Sequence, residues 1–169
     1  MAVDVLTELT IARPRAEVAA YAADPDNAPE WYANIESVSW KTEPPLRVGS
    51  EMTFVARFMG RRLSYVYRAV ELEPQARLVM STVDGPFPME TTYTWTSVDE
   101  STTRMALRNR GGATGLMGLL GPLEAIAVRR VTRRDLRRLR AILAGRSANR
   151  DRFEGGEQAH EPGGAAAVA

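Results

Sequence analysis

The chain contains no cysteine, and its single histidine, His160, lies near the C-terminus. The first absence excludes disulfides, thiolate metal sites and cysteine nucleophiles. The second removes a Ser-His-Asp triad, the usual zinc sites and a histidine general base from the folded part. No metal and no other cofactor is expected, and any catalysis falls to Asp, Glu, Tyr, Arg or bound water. Lysine is nearly absent too: Lys41 is the only one among 22 basic residues. Arginine replaces it along the whole chain, which reads as codon usage and not as a phosphate-binding signature. There is no run of ~18 apolar residues, so no membrane span is expected. The N-terminus, Met1 to Leu6, lacks the basic and apolar regions of a signal peptide, and the chain is expected to be cytoplasmic.

What is present fits one domain. Of the 169 residues, residues 1–145 form the expected domain, long enough for one core. Residues 146–169, rich in Gly, Ala and Glu, form an expected disordered tail with too few large apolar residues to order itself. Charge is uneven: residues 1–118 carry 12 basic and 15 acidic groups, 119–150 carry 9 and 2, and 151–169 carry 1 and 4. The excess of positive charge sits on one helix. From Gly121 to about Ala144 the pattern is helical, with Arg129, Arg130, Arg133, Arg134, Arg137, Arg138 and Arg140 on one half of the wheel. Leu120, Val128, Val131, Leu136, Leu139, Ile142 and Leu143 take the other half, which must be buried.

Most of the remaining chain alternates with a strand period. Strands are expected at Val3 to Ile11, Ile35 to Lys41, Met52 to Phe58, Leu63 to Leu72, Arg77 to Val83, Met89 to Val98 and Thr103 to Arg108. Pro14 starts a short helix that Asp24-Pro25 ends, and Asn27 to Asn34 forms a helical turn carrying Trp31 and Tyr32. Gly60 with Arg61, Glu73-Pro74-Gln75 and Asp84-Gly85-Pro86 turn the chain between adjacent strands. Such hairpins require an antiparallel sheet. Gly111 to Gly121 reads as a flexible joint before the long helix. One amphipathic helix after a run of strands implies a curved sheet closed by that helix, with a cavity between them.

This order resembles the helix-grip fold of the START-like, or Bet v 1-like, superfamily (SRPBCC), in its bacterial polyketide cyclase/dehydrase-like branch. The resemblance covers about residues 3 to 145. It is carried by Ala12-Arg13-Pro14 with Glu17-Val18, Asp24-Pro25 through Trp31, and Val48-Gly49. Tyr67 to Val70 with Glu73-Pro74 and Arg77-Leu78, Asp84 to Phe87, and Asp135 to Leu139 add to it. It implies an α+β fold of about seven antiparallel strands wrapped on a long C-terminal helix, with two short helices after the first strand. It also implies a hydrophobic small-molecule ligand. Function follows only loosely, because the superfamily holds lipid carriers, hormone receptors and aromatase/cyclases.

Candidate ligand-binding residues are Trp31, Phe54, Phe58, Arg68, Trp95, Leu120, Val131 and Leu139, and Arg68 and Tyr93 are the catalytic candidates. Met52, Phe54, Ala56 and Phe58 share a face that is either plain core or the cavity wall. Val66, Arg68, Val70 and Leu72 share a parity that would carry Arg68 inward, as the arginine of resembling aromatase/cyclases is placed; the opposite parity brings in Tyr65, Tyr67 and Ala69. Trp31 is a rim aromatic or a plug at the open end of the sheet. Tyr93 and Trp95 either wall the cavity or face outward. Asp135 is either a buried acid or a boundary residue paired with Arg138 at i+3. Leu116, Met117, Leu119 and Leu120 form a lid or simply seal the core.

The arginine stripe has no interleaved aromatics and no nucleic-acid motif, so no nucleic-acid partner is expected. It is a solvated face or a contact to anionic membrane. The leading functional expectation is binding, with transport as its extension, of a lipid, isoprenoid or polyketide. A poly-β-ketone cyclase using Arg68, and a regulatory module docking through the stripe, are the alternatives.

Overall fold

The computed structural model describes residues 2–58, 60–112 and 121–156. Seven strands form one sheet: β1 (Ala2–Ile11), β2 (Ile35–Trp40), β3 (Glu51–Phe58), β4 (Arg61–Glu73), β5 (Arg77–Asp84), β6 (Met89–Asp99) and β7 (Thr102–Gly112). Their spatial order is β1-β7-β6-β5-β4-β3-β2, every pairing antiparallel. All neighbours except β1 and β7 are consecutive in sequence, so the hairpin signals translate directly into the meander. The sheet curls into a half-barrel around the long helix α3 (Gly121–Gly156). Two short helices, α1 (Arg15–Ala23) and α2 (Ala28–Trp31), follow β1, with a 3-10 turn (Pro25–Asn27) between them. This is the helix-grip α+β fold that the sequence implies.

Local chemistry accounts for the boundaries. Asp24 caps the 3-10 turn through its side chain, accepting from the Asp26 N–H at 3.0 Å. Gly60 turns the β3–β4 hairpin at φ 78°, a left-handed value that glycine adopts without strain. Gly85 serves a different need. A Cβ there would lie 2.7 Å from the Cβ of Tyr65, so the β5–β6 turn can pack on β4 only without a side chain.

Two elements run past their expected ends. Gly111 and Gly112 do not open the joint; they complete β7 by pairing with Val3 and Ala2 of β1. Helix α3 continues to Gly156, beyond Ala144, where the apolar periodicity stops. Arg146 fastens this extension, its guanidinium lying 4.4 Å over the Tyr21 ring and 3.6 Å from Glu30. No described helix is long and apolar enough to cross a membrane.

The core lies between the inner sheet face and α3. Strand pairing lines up cross-sheet rows: Thr7, Leu107, Tyr93 and Leu78 in one, and Thr91, Asn109, Met80 and Ala69 in the next. From α3, Thr132, Asp135, Leu136, Leu139 and Leu143 are buried against them. That spacing of three and four residues is the buried helical stripe. Val131 is not on it and is 42% exposed. Thr132 takes the inward position instead, because its hydroxyl accepts a hydrogen bond from Asn109 Nδ2 at 3.3 Å.

Candidate functional site

Aromatic side chains converge on the inner face from four elements. Phe54 of β3 packs against Tyr65 and Tyr67 of β4, with ring centroids 5.8 and 5.4 Å away. Tyr93 and Trp95 of β6 stack at 5.9 Å. Trp31, at the end of α2, stacks on Tyr32 at 3.8 Å and meets Tyr93 edge-on at 6.4 Å. Of the expected binding residues, Trp31, Phe54, Trp95 and Leu139 are therefore brought to the interior, together with Tyr93. Trp31 is 1% exposed, so it closes the core and does not form a rim. Phe58 ends β3 with its side chain outside the described part, and Leu116, Met117, Leu119 and Leu120 lie outside the described residues.

Polar atoms are unusually dense among these rings. The Tyr32 and Tyr93 hydroxyls are 2.7 Å apart. Tyr67 Oη lies 3.0 Å from Thr91 Oγ1, which donates to Asn109 Oδ1 at 3.1 Å. Asn109 Nδ2 passes the chain on to Thr132, so one relay ties the sheet to α3. The indole Nε1 of Trp31 and of Trp95 is buried with no hydrogen-bond partner among the described residues. Buried donors are normally paired, and leaving one unpaired costs about 1–3 kcal/mol. The two indoles come from α2 and β6, and both pack against Tyr93.

Asp135 is the acid of this interior. It is 2% exposed, and its Oδ1 accepts a hydrogen bond from the Ala33 backbone N–H at 3.0 Å. No salt bridge reaches it among the described residues, so the expected Arg138 partner does not hold it. Burial pushes its carboxyl up to about 6, against the lowering influence of the Ala33 bond and of Arg134 and Arg138. Burial likewise raises the hydroxyls of Tyr32, Tyr93 and Tyr65, and takes Tyr67 up to about 12. These phenols stay protonated at neutral pH and act as hydrogen-bond donors.

Arg68 does not join these rings. It faces outward, its side chain 48% exposed, and Glu51 Oε1 accepts from its Nε at 3.0 Å and its Nη2 at 2.6 Å. The cause lies in the register. Glu51 stands directly opposite Arg68, while Met52 opposes Tyr67 and Phe54 opposes Tyr65. Tyr65, Tyr67 and Ala69 therefore alternate along the inner face, and the register shift at Val66/Tyr67 places its extra residue, Val83, on β5. A second shift at Ala69/Glu71 leaves Val70 exposed. Beyond that bulge Leu72 pairs with Leu78 and packs against the core, so Val66, Arg68 and Val70 do not share its face.

Sequence reasoning names Arg68 as a candidate while leaving the opposite parity, with Tyr65 and Tyr67 inward, open, and it does not find Thr91, Asn109 or Thr132. Strand period alone carries no signal for a bulge. The outer face holds a shallow cavity of about 210 Å³ among Leu6, Arg77, Glu90, Arg108 and Arg110. Its arginines are bound by Glu71, Asp4 and Glu90. No cluster of three or more metal-binding side chains occurs among the described residues.

A curled seven-stranded sheet gripping a C-terminal helix, with a ring-lined interior, defines a helix-grip protein. The chain belongs to the family described as polyketide cyclase/dehydrase and lipid transport, whose model matches residues 2–144. Its fold is similar to that of TTHA0849 from Thermus thermophilus, at 22% identity and a TM-score of 0.72 over 84% of this chain and 98% of that one. The Zhui aromatase/cyclase from Streptomyces sp. R1128 is similar at 19% identity and 0.71, over 87% and 96%. A START superfamily protein from Mycobacterium smegmatis follows at 13% and 0.65, over 85% and 95%. Comparison with curated protein sequences gave no match.

Proposed function

We propose that the chain binds a flat, oxygenated, ring-bearing molecule of polyketide type between the inner sheet face and α3. The observation that carries this reading is the pair of buried, unpartnered indole donors on Trp31 and Trp95, set among stacked rings. An acyl chain asks only for an aliphatic wall. This wall is aromatic and offers N–H and O–H donors, which suits carbonyl and hydroxyl oxygens on a planar scaffold. The rings pack on one another, so binding requires them to part. Family membership supports the class of ligand, because its members are described by polyketide chemistry and lipid transport.

A second reading, a cyclase, is favoured by one observation. Asp135, buried and with its carboxyl raised, accepts from the N–H of Ala33, the residue next to Tyr32, whose hydroxyl pairs with that of Tyr93 at 2.7 Å. An acid and phenols so placed can move a proton to or from a ketone or its enol. Arg68 has no part in it.

Native mass spectrometry of protein purified from its own host tests the binding reading. The expected result is an adduct released on denaturation and identified as an oxygenated aromatic or polyketide. A straight-chain lipid adduct would contradict the ligand class. Turnover of a poly-β-ketone surrogate that is lost in Asp135→Asn, with the fold retained, would establish the cyclase.

A further inference from the structure

Six arginines of the sheet, Arg57, Arg62, Arg68, Arg77, Arg108 and Arg110, are held by carboxylates. The seven of the α3 stripe are all exposed, and none makes a salt bridge among the described residues. The one acid between residues 125 and 150 is Asp135, which faces the interior. The stripe from Arg129 to Arg140 spans roughly 17 Å of helix. Along it, Arg129/Arg133, Arg130/Arg134, Arg133/Arg137 and Arg134/Arg138 repel at i, i+4. No salt bridge among the described residues offsets that repulsion, although Asp135 attracts Arg134 and Arg138 through space.

Composition discriminates between polyanions. The other exposed positions from 125 to 145 are Ile126, Ala127, Val131, Ala141, Ala144 and Gly145. Ile126 is 56% exposed and sits at the same angle on the helix as Arg133 and Arg137. No exposed Asn, Gln, Ser, Thr or aromatic accompanies them, although such side chains read or stack nucleic-acid bases. Arginine mixed with exposed aliphatic residues fits a bilayer surface. The guanidinium groups meet lipid phosphates while the short apolar side chains enter the acyl boundary.

We infer that the outer face of α3 docks the protein onto anionic phospholipid bilayers, through the arginine stripe and Ile126. The inference does not rest on the ligand reading, and it is measured without any ligand. Docking places the helix that covers the ring-lined interior flat on the membrane.

The test is sedimentation of the full chain with vesicles of phosphatidylcholine alone or with about 30% phosphatidylglycerol. Binding is expected to the anionic vesicles only and to weaken as salt rises. Replacing Arg130, Arg134 and Arg137 together by Gln should lower the affinity about 100-fold. Replacing Arg57, Arg62 and Arg77 by Gln removes the same charge from the sheet and should change it less than about threefold. Ile126→Ser should weaken binding while preserving its salt dependence. Circular dichroism confirms that each variant is folded, and the salt titration of the parent stands on its own if one is not. Three results would overturn the inference: no binding to anionic vesicles, equal loss in both arginine triples, or tight binding of duplex DNA in place of the vesicles.

Discussion

Asp135, buried on α3, holds the backbone N–H of Ala33 at 3.0 Å, in the turn that leads from α2 into β2. The bond spans 102 residues of sequence and fastens the helix to the segment that presents Trp31 and Tyr32. Its acceptor is a carboxyl whose burial outweighs the help it receives from Ala33, Arg134 and Arg138.

That imbalance sets a pH dependence. The folded-state value of about 6 lies above the ordinary 3.8, so the folded protein binds more protons than the unfolded chain in that window. Stability from this group is therefore full below about pH 4 and falls as pH rises through 6. Asp135→Asn retains an oxygen for Ala33 and loses the charge. It is expected to be more stable than the parent at pH 7.5, by on the order of 3 kcal/mol, with the advantage vanishing near pH 4. Urea titrations at the two pH values check this; a variant less stable than the parent at pH 7.5 would contradict it.

Asn109 links the Tyr67–Thr91 pair to Thr132 on α3. Asn109→Ala takes the partner from the buried Thr132 hydroxyl and one of two partners from that of Thr91, and is expected to cost about 1–3 kcal/mol. Denaturant midpoints measure the loss. Asn109→Ser, which still donates and accepts, should recover part of it.

Arg68 lies on the opposite side of the sheet from the rings. Arg68→Gln is expected to leave affinity for an aromatic probe within about twofold of the parent. Its effect is on Glu51, whose carboxyl the Arg68 hydrogen bonds hold below the usual range. Glu51 is lowered, so that contribution is present at neutral pH and lost as pH falls through its folded-state value. Fluorescence titration of probe binding and an acid-unfolding curve separate the two effects.

How much was legible beforehand differs between elements. The hairpins carried the meander because Gly60, Pro74-Gln75 and Gly85 punctuate an alternating pattern, and the topology follows once neighbours pair. Phe54, Tyr93 and Trp95 lie on the inner face because their strands keep register across the sheet. Arg68 faces outward, since Tyr65, Tyr67 and Ala69 alternate along the inner face, and the bulge at Val70 alone brings Leu72 onto that face, which makes the shared parity of Val66, Arg68, Val70 and Leu72 misleading. Val131 and Thr132 show the same limit on a helix. Hydropathy favours the valine inside, but the threonine has a partner in Asn109, and that partner comes from a strand far away in sequence. The orphan indoles were not legible at all, because an unpaired donor is a property of the packed surroundings.

The three tryptophans allow the central claim to be tested atom by atom. Trp40 differs from the other two, since its indole Nε1 donates to Asp26 at 2.9 Å near the surface. A 1H–15N correlation spectrum resolves the three indole N–H signals, and 1,8-dihydroxyanthraquinone serves as a planar, oxygenated probe. Saturable downfield shifts of the Trp31 and Trp95 signals, with Trp40 unmoved, are the predicted result. Saturable binding that leaves both Trp31 and Trp95 unshifted would contradict the account.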